Sequence, residues 1–259
     1  MTTEATLYEV RNGAAWITLN RPENRNALSA PLVTELHQHL LAANEDGAVR
    51  SIVITGAEPA FCSGADLKNP PGQMMGGQRS IAYHKVLMTI MESPKPVIAA
   101  VNGAAFAGGI GLVGAADIAI AVEDAVFAFS EVRIGAIPAV ISVVCIPKLG
   151  THHAMRLFLT GERFTGAQAM EMGFVHRAVP KDRLSDAVEE EISLIDLGGP
   201  NAVPECKKLV RRIPMLPIEE AFEEAHEWST RMFSSEEAAE GIAAFREKRD
   251  AAWVSSGAP

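Results

Sequence analysis

A unit of strand, loop and helix occurs twice in the chain, at Ser51–Leu67 and at Val97–Ala115. Each unit opens with a short apolar run, which predicts a buried strand. Each loop then places small residues where a helix begins, so a ligand can approach backbone N–H groups that have no partner within the helix. Two such loops facing each other could aim two N–H donors at one oxygen, as an oxyanion hole does. The alternative is two tight loops packed on a sheet, but their matching chemistry favours a site.

The remaining apolar runs predict an α/β body followed by a helical tail. The predicted strands are Ala15–Leu19, Ser51–Thr55, Val97–Val101, Ile118–Val122, Ala125–Phe129 and Phe174–Val179. Ser29 is a predicted N-cap for the first helix, because its side chain can accept from the first free N–H groups. The later predicted helices are Arg79–Met91, Thr151–Thr160, Thr165–Met172, Leu184–Leu197, Ile218–Phe233 and Glu236–Asp250.

Charge and cysteine usage limit the partners and the compartment. The 259-residue chain has a net charge of −9, and no long basic block, so nucleic acid and anionic membranes are not expected partners. The scattered Cys62, Cys145 and Cys206 indicate a reducing compartment rather than a disulfide framework. The first residues lack the features of a signal peptide, and no apolar run reaches membrane-spanning length. We therefore expect a cytoplasmic protein.

Three other kinds of site are disfavoured. Residues Gly109–Gly114 match the glycine pattern of dinucleotide-binding loops, but seven residues separate Val101 at the strand end from Gly109. That pattern should follow its strand directly, so helix packing is the favoured role of these glycines. The seven histidines form no metal-ligand spacing, and no metal is expected. Ser63 lies in no nucleophile-elbow motif, and we interpret it as a small loop residue.

Glu131 is the acid that stands out. It follows the apolar run Ala125–Phe129, and a carboxylate at the end of a buried strand is costly unless it is paired or used in chemistry. An ion pair with Arg133 or Arg163 and a catalytic role are the two explanations that the sequence leaves open.

The motifs, taken together, resemble the enoyl-CoA hydratase/isomerase (crotonase) family over nearly the whole chain. Each motif is weak alone, but their order and spacing are highly specific. The motifs are Leu19–Glu23 with Asn26–Leu28, Phe61–Leu67, Lys95–Gly103, Ala116–Ala121, Phe129–Val132 with Gly135 and Pro138, and Leu159–Glu162.

This resemblance implies a spiral of ββα units with a helical C-terminal region, assembled as trimers or as dimers of trimers. Residues 1–195 would form the spiral core, and residues 196–259 would serve in oligomerisation. The implied substrates are acyl thioesters of coenzyme A, so coenzyme A enters with the substrate and no separate cofactor is expected.

The resemblance also assigns site residues. The N–H groups of Ala65 and Gly108 would hold the thioester oxygen, and Glu131 would carry the acid–base chemistry. Asp66 is expected to brace its loop rather than react. The residues implied to line the coenzyme A path or to contact it are Asn24, Arg25, Asn26, Ala27, Ser63, Gly64, Asp66, Leu67, Phe245 and Lys248, the last two often from a neighbouring subunit.

One position departs from the family pattern. Typical hydratases of the family carry two glutamates around the water; Glu131 matches the second, and Gly111 stands at the first. The resemblance therefore implies hydration of an enoyl-CoA with a single glutamate. Isomerisation of an enoyl-CoA by the same glutamate, or acyl-CoA binding with weak catalysis, stays open. Gly111→Glu is expected to raise hydration if the helix tolerates the added bulk.

Overall fold

Six strands form the main sheet of this computed structural model, which describes residues 4–72, 74–75 and 78–254. An antiparallel hairpin of the first two strands begins the sheet, and every later neighbour pairs in parallel. The strands, in spatial order, are β1 (Thr6–Arg11), β2 (Ala14–Leu19), β3 (Ser51–Gly56), β7 (Val97–Val101), β9 (Ile118–Val122) and β12 (Arg177–Val179).

A smaller sheet of four strands lies beside the main one. Its strands, in spatial order, are β11 (Arg163–Thr165), β10 (Val126–Ala128), β8 (Ala104–Phe106) and β4 (Ala60–Cys62). Thus β3 and β4, β7 and β8, and β9 and β10 are consecutive pairs whose members belong to different sheets. This repeated exchange generates the spiral of ββα units. Strands β5 (Met74–Met75) and β6 (Gln78–Arg79) pair only with each other within the described residues.

Helices cover the sheets and continue into the tail. Their bounds are α1 (Ala30–Glu45), α2 (Tyr83–Glu92), α3 (Gly108–Ala115), α4 (Ala139–Thr160, broken at Gly150), α5 (Gly166–Glu171), α6 (Leu184–Asp196), α7 (Ala202–Arg212), α8 (Ile218–Phe233) and α9 (Glu236–Glu247). The N-cap prediction is confirmed, because the Leu32 N–H donates to the Ser29 hydroxyl at 3.4 Å. None of the helices in the described residues is long and apolar enough to cross a membrane.

Helix α3 is almost entirely buried, and its glycines are the reason it fits. A Cβ atom added to Gly109 would lie 2.3 Å from the Cys62 carbonyl oxygen, and one added to Gly114 would lie 2.9 Å from the Cys145 sulfur. Strand β8 also separates these glycines from the end of β7. The glycine pattern therefore serves close helix packing, as predicted, and the chain shows no strand-to-glycine turn of the dinucleotide-binding kind at this position.

The tail differs from the body in how much apolar surface it leaves uncovered. Within the described residues, α8 and α9 pack on each other. Large side chains on them face solvent in the single chain, including Phe222, Phe233 and Phe245. Together these side chains expose more apolar surface than scattered single residues do. An apolar surface of this kind is typical of a face that meets another chain.

Candidate active site

The first small-residue loop is held by a second loop at residues 24–28. The Leu28 N–H donates to the Gly64 carbonyl at 2.7 Å, and the Asp66 N–H donates to the Leu28 carbonyl at 3.3 Å. In such a parallel bridge the residue between the two bonded partners turns its own N–H to the other side. The N–H of Ala65 therefore points away from Leu28, and it has no acceptor among the described residues.

Asp66 and Ser63 add further bonds to the same loop. The Asp66 carboxylate accepts from the N–H groups of Lys68 and Asn69 at 2.8 and 3.2 Å, and these bonds hold the turn that follows the loop. The Ser63 hydroxyl donates to the Asn24 carbonyl at 3.1 Å. Gly64 has a φ of +91°, a conformation that glycine adopts without a steric penalty. The loop is therefore fixed by local bonds.

The second loop presents the start of α3. Gly108 is the first residue of the helix, so its N–H has no acceptor within the helix. Ala107, just before it, has φ 47° and ψ −120°, which is strained for a residue with a side chain. The Ala107 N–H is bonded to the Ala128 carbonyl at 3.0 Å, and this bond helps to hold the strained turn.

These two loops face each other at contact distance. A Cβ atom added to Gly64 would lie 2.9 Å from the Ala107 Cβ and 3.4 Å from the Gly108 nitrogen. The N–H groups of Ala65 and Gly108 thus belong to adjacent turns, and the positive end of the α3 dipole lies at Gly108. This arrangement can stabilise negative charge on one oxygen.

Glu131 lies in a short 3₁₀ helix, Ser130–Ile134, directly after β10. Its Oε2 atom is buried and has no hydrogen-bond partner among the described residues. No ion pair joins it to Arg133 or Arg163 in that part of the chain, and Arg163 instead lies over the Phe106 ring. Burial raises the pKa of the Glu131 carboxyl, an effect that its own backbone N–H partly offsets. The ion-pair explanation is therefore wrong here.

Tyr83 connects the acid to the oxyanion loops. Its hydroxyl donates to the Gly108 carbonyl. Burial first, and then the nearby Cys62, Cys145 and Glu131, raise the pKa of Tyr83 well above its usual range. A charge on Glu131 therefore raises the pKa of a hydroxyl that is hydrogen-bonded to the first residue of α3.

Gly111 lies on the side of α3 that faces the Tyr83 hydroxyl, and neighbouring side chains occupy the space around it. An added Cβ would lie 2.4 Å from the Ile141 Cγ2 atom and 2.8 Å from the Tyr83 hydroxyl oxygen. Gly111→Glu therefore requires the Ile141 and Tyr83 side chains to move before the helix can take the added bulk.

The residues predicted to contact coenzyme A fall into two groups: some are exposed to solvent, and others are buried and support the loop. Asn24 and Arg25 are exposed, Leu67 is 77% exposed, and Arg25 forms no ion pair within the described residues. Asn26 differs from the expectation, because it is fully buried. Its amide donates to the carbonyls of Ala57 and Ala60, both at 2.7 Å, and its oxygen accepts from the Arg21 N–H. Asn26 therefore supports the loop and offers no surface to a ligand; Ala27 is buried beside it.

Phe245 and Lys248 lie elsewhere in the single chain. Phe245 is 85% exposed and borders a cavity of about 370 Å³ lined by α8, α9 and Trp253, without any residue of the two loops. Lys248 ends α9 in a left-handed conformation. One chain alone thus leaves them apart from the candidate site.

Sequence reasoning missed Tyr83 and the strain at Ala107. No motif marks Tyr83, although it is one of only two tyrosines in the chain. Ala107 is an ordinary alanine in the sequence, and only its dihedral angles distinguish it.

Comparison with known proteins agrees with this geometry. The family model described as enoyl-CoA hydratase/isomerase matches residues 9–256. The chain belongs to this family. It is 34% identical to the enoyl-CoA hydratase EchA19 of Mycobacterium tuberculosis, over 94% of each chain, and 34% identical to the carnitinyl-CoA dehydratase of Escherichia coli K12, over 95% of this chain and 97% of that one.

Solved structures of the enoyl-CoA hydratase/isomerase family share the fold. An enoyl-CoA hydratase/isomerase from Marinobacter aquaeolei superimposes with a TM-score of 0.88 at 31% identity, covering 97% of this chain and all of that chain. The enoyl-CoA hydratase from Bacillus anthracis gives 0.88 at 29% identity, covering 96% and 99%. These matches confirm the predicted spiral with its helical C-terminal region. They also show a family whose members act on acyl-CoA thioesters.

Proposed function

We propose that this protein is an enoyl-CoA hydratase that adds water across the 2,3 double bond of an enoyl-CoA thioester. The observation that carries the proposal is that two N–H groups on adjacent loops, those of Ala65 and Gly108, and the buried Oε2 atom of Glu131 all lack a hydrogen-bond partner among the described residues. Hydratase names among the relatives support it.

The chemistry divides between backbone and side chain. The Ala65 and Gly108 N–H groups donate to the thioester oxygen, which gains negative charge as the oxygen of water bonds to C3. Glu131 takes one proton from that water, and its carboxyl then gives a proton to C2 as the charge returns from the thioester oxygen. Burial raises the pKa of Glu131, and a raised pKa makes its carboxylate a stronger base toward the water.

Isomerisation is the second candidate, favoured by one observation: Glu131 has a buried oxygen without a partner among the described residues, and Gly111 supplies no second carboxylate. Glu131 alone would remove a proton from C2 of a 3-enoyl-CoA and return it to C4, moving the double bond to the 2,3 position. Acyl-CoA binding with weak catalysis is the remaining alternative.

Parallel assays with crotonyl-CoA and a 3-enoyl-CoA separate these functions, using wild type, Glu131→Gln and the exposed control Glu171→Gln. We expect Glu131→Gln to lose about 100- to 10,000-fold in hydration, the usual contribution of a general acid–base group, while the control stays within about twofold. Calorimetric titration with butyryl-CoA should show that Glu131→Gln still binds. Conversion of a 3-enoyl-CoA without hydration would favour the isomerase, and binding without either reaction would favour the acyl-CoA-binding protein.

The proposed assembly is a trimer or a dimer of trimers. The uncovered apolar faces of α8 and α9 support a subunit contact there, and Phe245 and Lys248 would reach coenzyme A on a neighbouring subunit. Sedimentation as a monomer at micromolar concentration would exclude this assembly. Truncation after Ser235 is expected to weaken both assembly and coenzyme A binding. The cytoplasmic location stays a prediction.

A further inference from the structure

Tyr83 is the polar group of the site that the proposed mechanism leaves unused. It opens α2, and its ring lies against the start of α3, with Cε1 3.6 Å from a Cβ position built on Gly108. Its hydroxyl gives its one proton to the Gly108 carbonyl. The phenol oxygen keeps lone pairs that can still accept a hydrogen bond.

The hydroxyl occupies space that a side chain at position 111 would need. A Cβ on Gly111 would lie 2.8 Å from the phenol oxygen, closer than real Cβ atoms approach such a group. Glycine at 111 and tyrosine at 83 therefore form a matched pair. The absence of a side chain at 111 leaves room at α3 for an oxygen contributed by α2.

The pKa of this phenol is raised by burial first and then by three nearby acidic groups. The groups that act on Tyr83 come from three neighbouring elements: Cys62 from β4, Cys145 from α4 and Glu131 from the 3₁₀ helix after β10. The two cysteines are buried, and burial keeps their thiols protonated. Glu131 is the carboxyl group among these neighbours of Tyr83, and its buried Oε2 atom has no hydrogen-bond partner among the described residues.

We propose that Tyr83 is a second catalytic residue, whose phenol oxygen accepts a hydrogen bond from the water that Glu131 activates. This inference rests on the proposed hydratase function. The water gives one proton to the Glu131 carboxylate, and its oxygen forms the bond to C3. Its other proton stays in the new hydroxyl group, directed at Tyr83. Glu131 later gives a proton to C2, and Tyr83 neither gains nor loses one.

The test compares hydration with a reaction that needs the same site but no nucleophilic water. Exchange of the C2 protons of butyryl-CoA with deuterium uses the oxyanion donors and Glu131 only. We expect Tyr83→Phe to lower kcat for crotonyl-CoA hydration about tenfold, the effect of one lost hydrogen bond, while exchange and KM change less than about threefold. Tyr8→Phe is the matched control, because Tyr8 packs on His39 rather than on α3.

Each other outcome decides against the inference in a distinct way. Hydration by Tyr83→Phe within about twofold of wild type would overturn it and leave the proposed function intact. An equal loss of hydration and exchange would also overturn it, since Tyr83 would then only hold the Gly108 turn. A wild-type protein that exchanges but hydrates no enoyl-CoA would defeat the hydratase proposal, and the role of Tyr83 toward water with it.

Discussion

The two sides of the candidate site use different kinds of chemical group: backbone groups on one side and a side chain on the other. On one side, the donors are backbone N–H groups of Ala65 and Gly108, held by hydrogen bonds between loops and by a turn at Ala107. On the other side, the working group is the Glu131 side chain, whose buried oxygen has no partner in the described chain.

This difference shows which side can change by substitution. Most substitutions leave a backbone N–H in place, so the oxyanion donors survive unless proline removes the N–H or bulk moves the turn. The acid side depends on single side chains, so one amino-acid substitution can remove the base or fill the space beside it. We therefore expect the reaction type to be set at Glu131, Tyr83 and Gly111, while thioester binding is set by the loops.

On the backbone side, the largest expected effect comes from removing one oxyanion donor. Gly108→Pro removes the N–H, and we expect a loss of roughly 100-fold or more in kcat, as for one oxyanion donor. Gly108→Ala is the control, because it keeps the N–H while its Cβ meets the Leu28 side chain 2.7 Å away. A folded Gly108→Pro protein with near-normal turnover, or equal losses in both variants, would remove Gly108 from the donor pair.

The next effect tests the packed space on the acid side. Gly111→Glu should lower the free energy of unfolding by about 1–3 kcal/mol, the usual cost of overpacking, and should not raise hydration. The reason is the 2.4 Å approach of the added Cβ to Ile141 Cγ2. Urea unfolding and the crotonyl-CoA assay measure the two results. Combining Gly111→Glu with Ile141→Ala should recover part of the lost stability; no recovery would mean that Ile141 is not the obstacle.

A smaller effect is expected from relaxing the strained turn. Ala107→Gly should raise the free energy of unfolding by about 1 kcal/mol, because the strain at φ 47° and ψ −120° exceeds the added entropy of an unfolded glycine. Turnover should fall a few-fold, since a looser turn places the Gly108 N–H less accurately. Thermal unfolding and kcat measured together check this. Lower stability of the variant would show that the alanine methyl contributes packing that outweighs the strain.

The smallest expected effect is a pH-dependent difference in the free energy of unfolding between wild type and Glu131→Gln. The pKa of Glu131 is raised by burial, so its contribution to stability is fully present below the pKa of an unfolded glutamate and is lost as pH rises through the folded pKa. The stability of Glu131→Gln relative to wild type should therefore increase with pH across that window. Free energies of unfolding measured at several pH values test this, and parallel curves for the two proteins would mean that Glu131 is not desolvated.

Much of the fold was readable from local patterns. The apolar runs predicted β3, β7 and β9, and the Ser29 cap predicted the start of α1, because these signals lie in neighbouring residues. The short strands β4 and β8 were predicted as loops, since three residues give too little periodicity to identify a strand. Helix α7 and the first half of α4 were not predicted at all.

By itself the sequence determined the buried strands that open the two repeated units, the family, and the acid at position 131. The helix predicted after the first loop, within Ser51–Leu67, is wrong, because that segment stays a loop and the next helix in the described residues begins at Tyr83. Only the tertiary structure decided that each pair of consecutive strands separates into two sheets, and that Gly64 meets Gly108 across the resulting gap. It also decided that Asn26 is internal and that the Tyr83 hydroxyl fills the space at Gly111. The physical reason is distance along the chain: caps and periodicities act within a few residues, whereas these contacts join segments that only packing brings together.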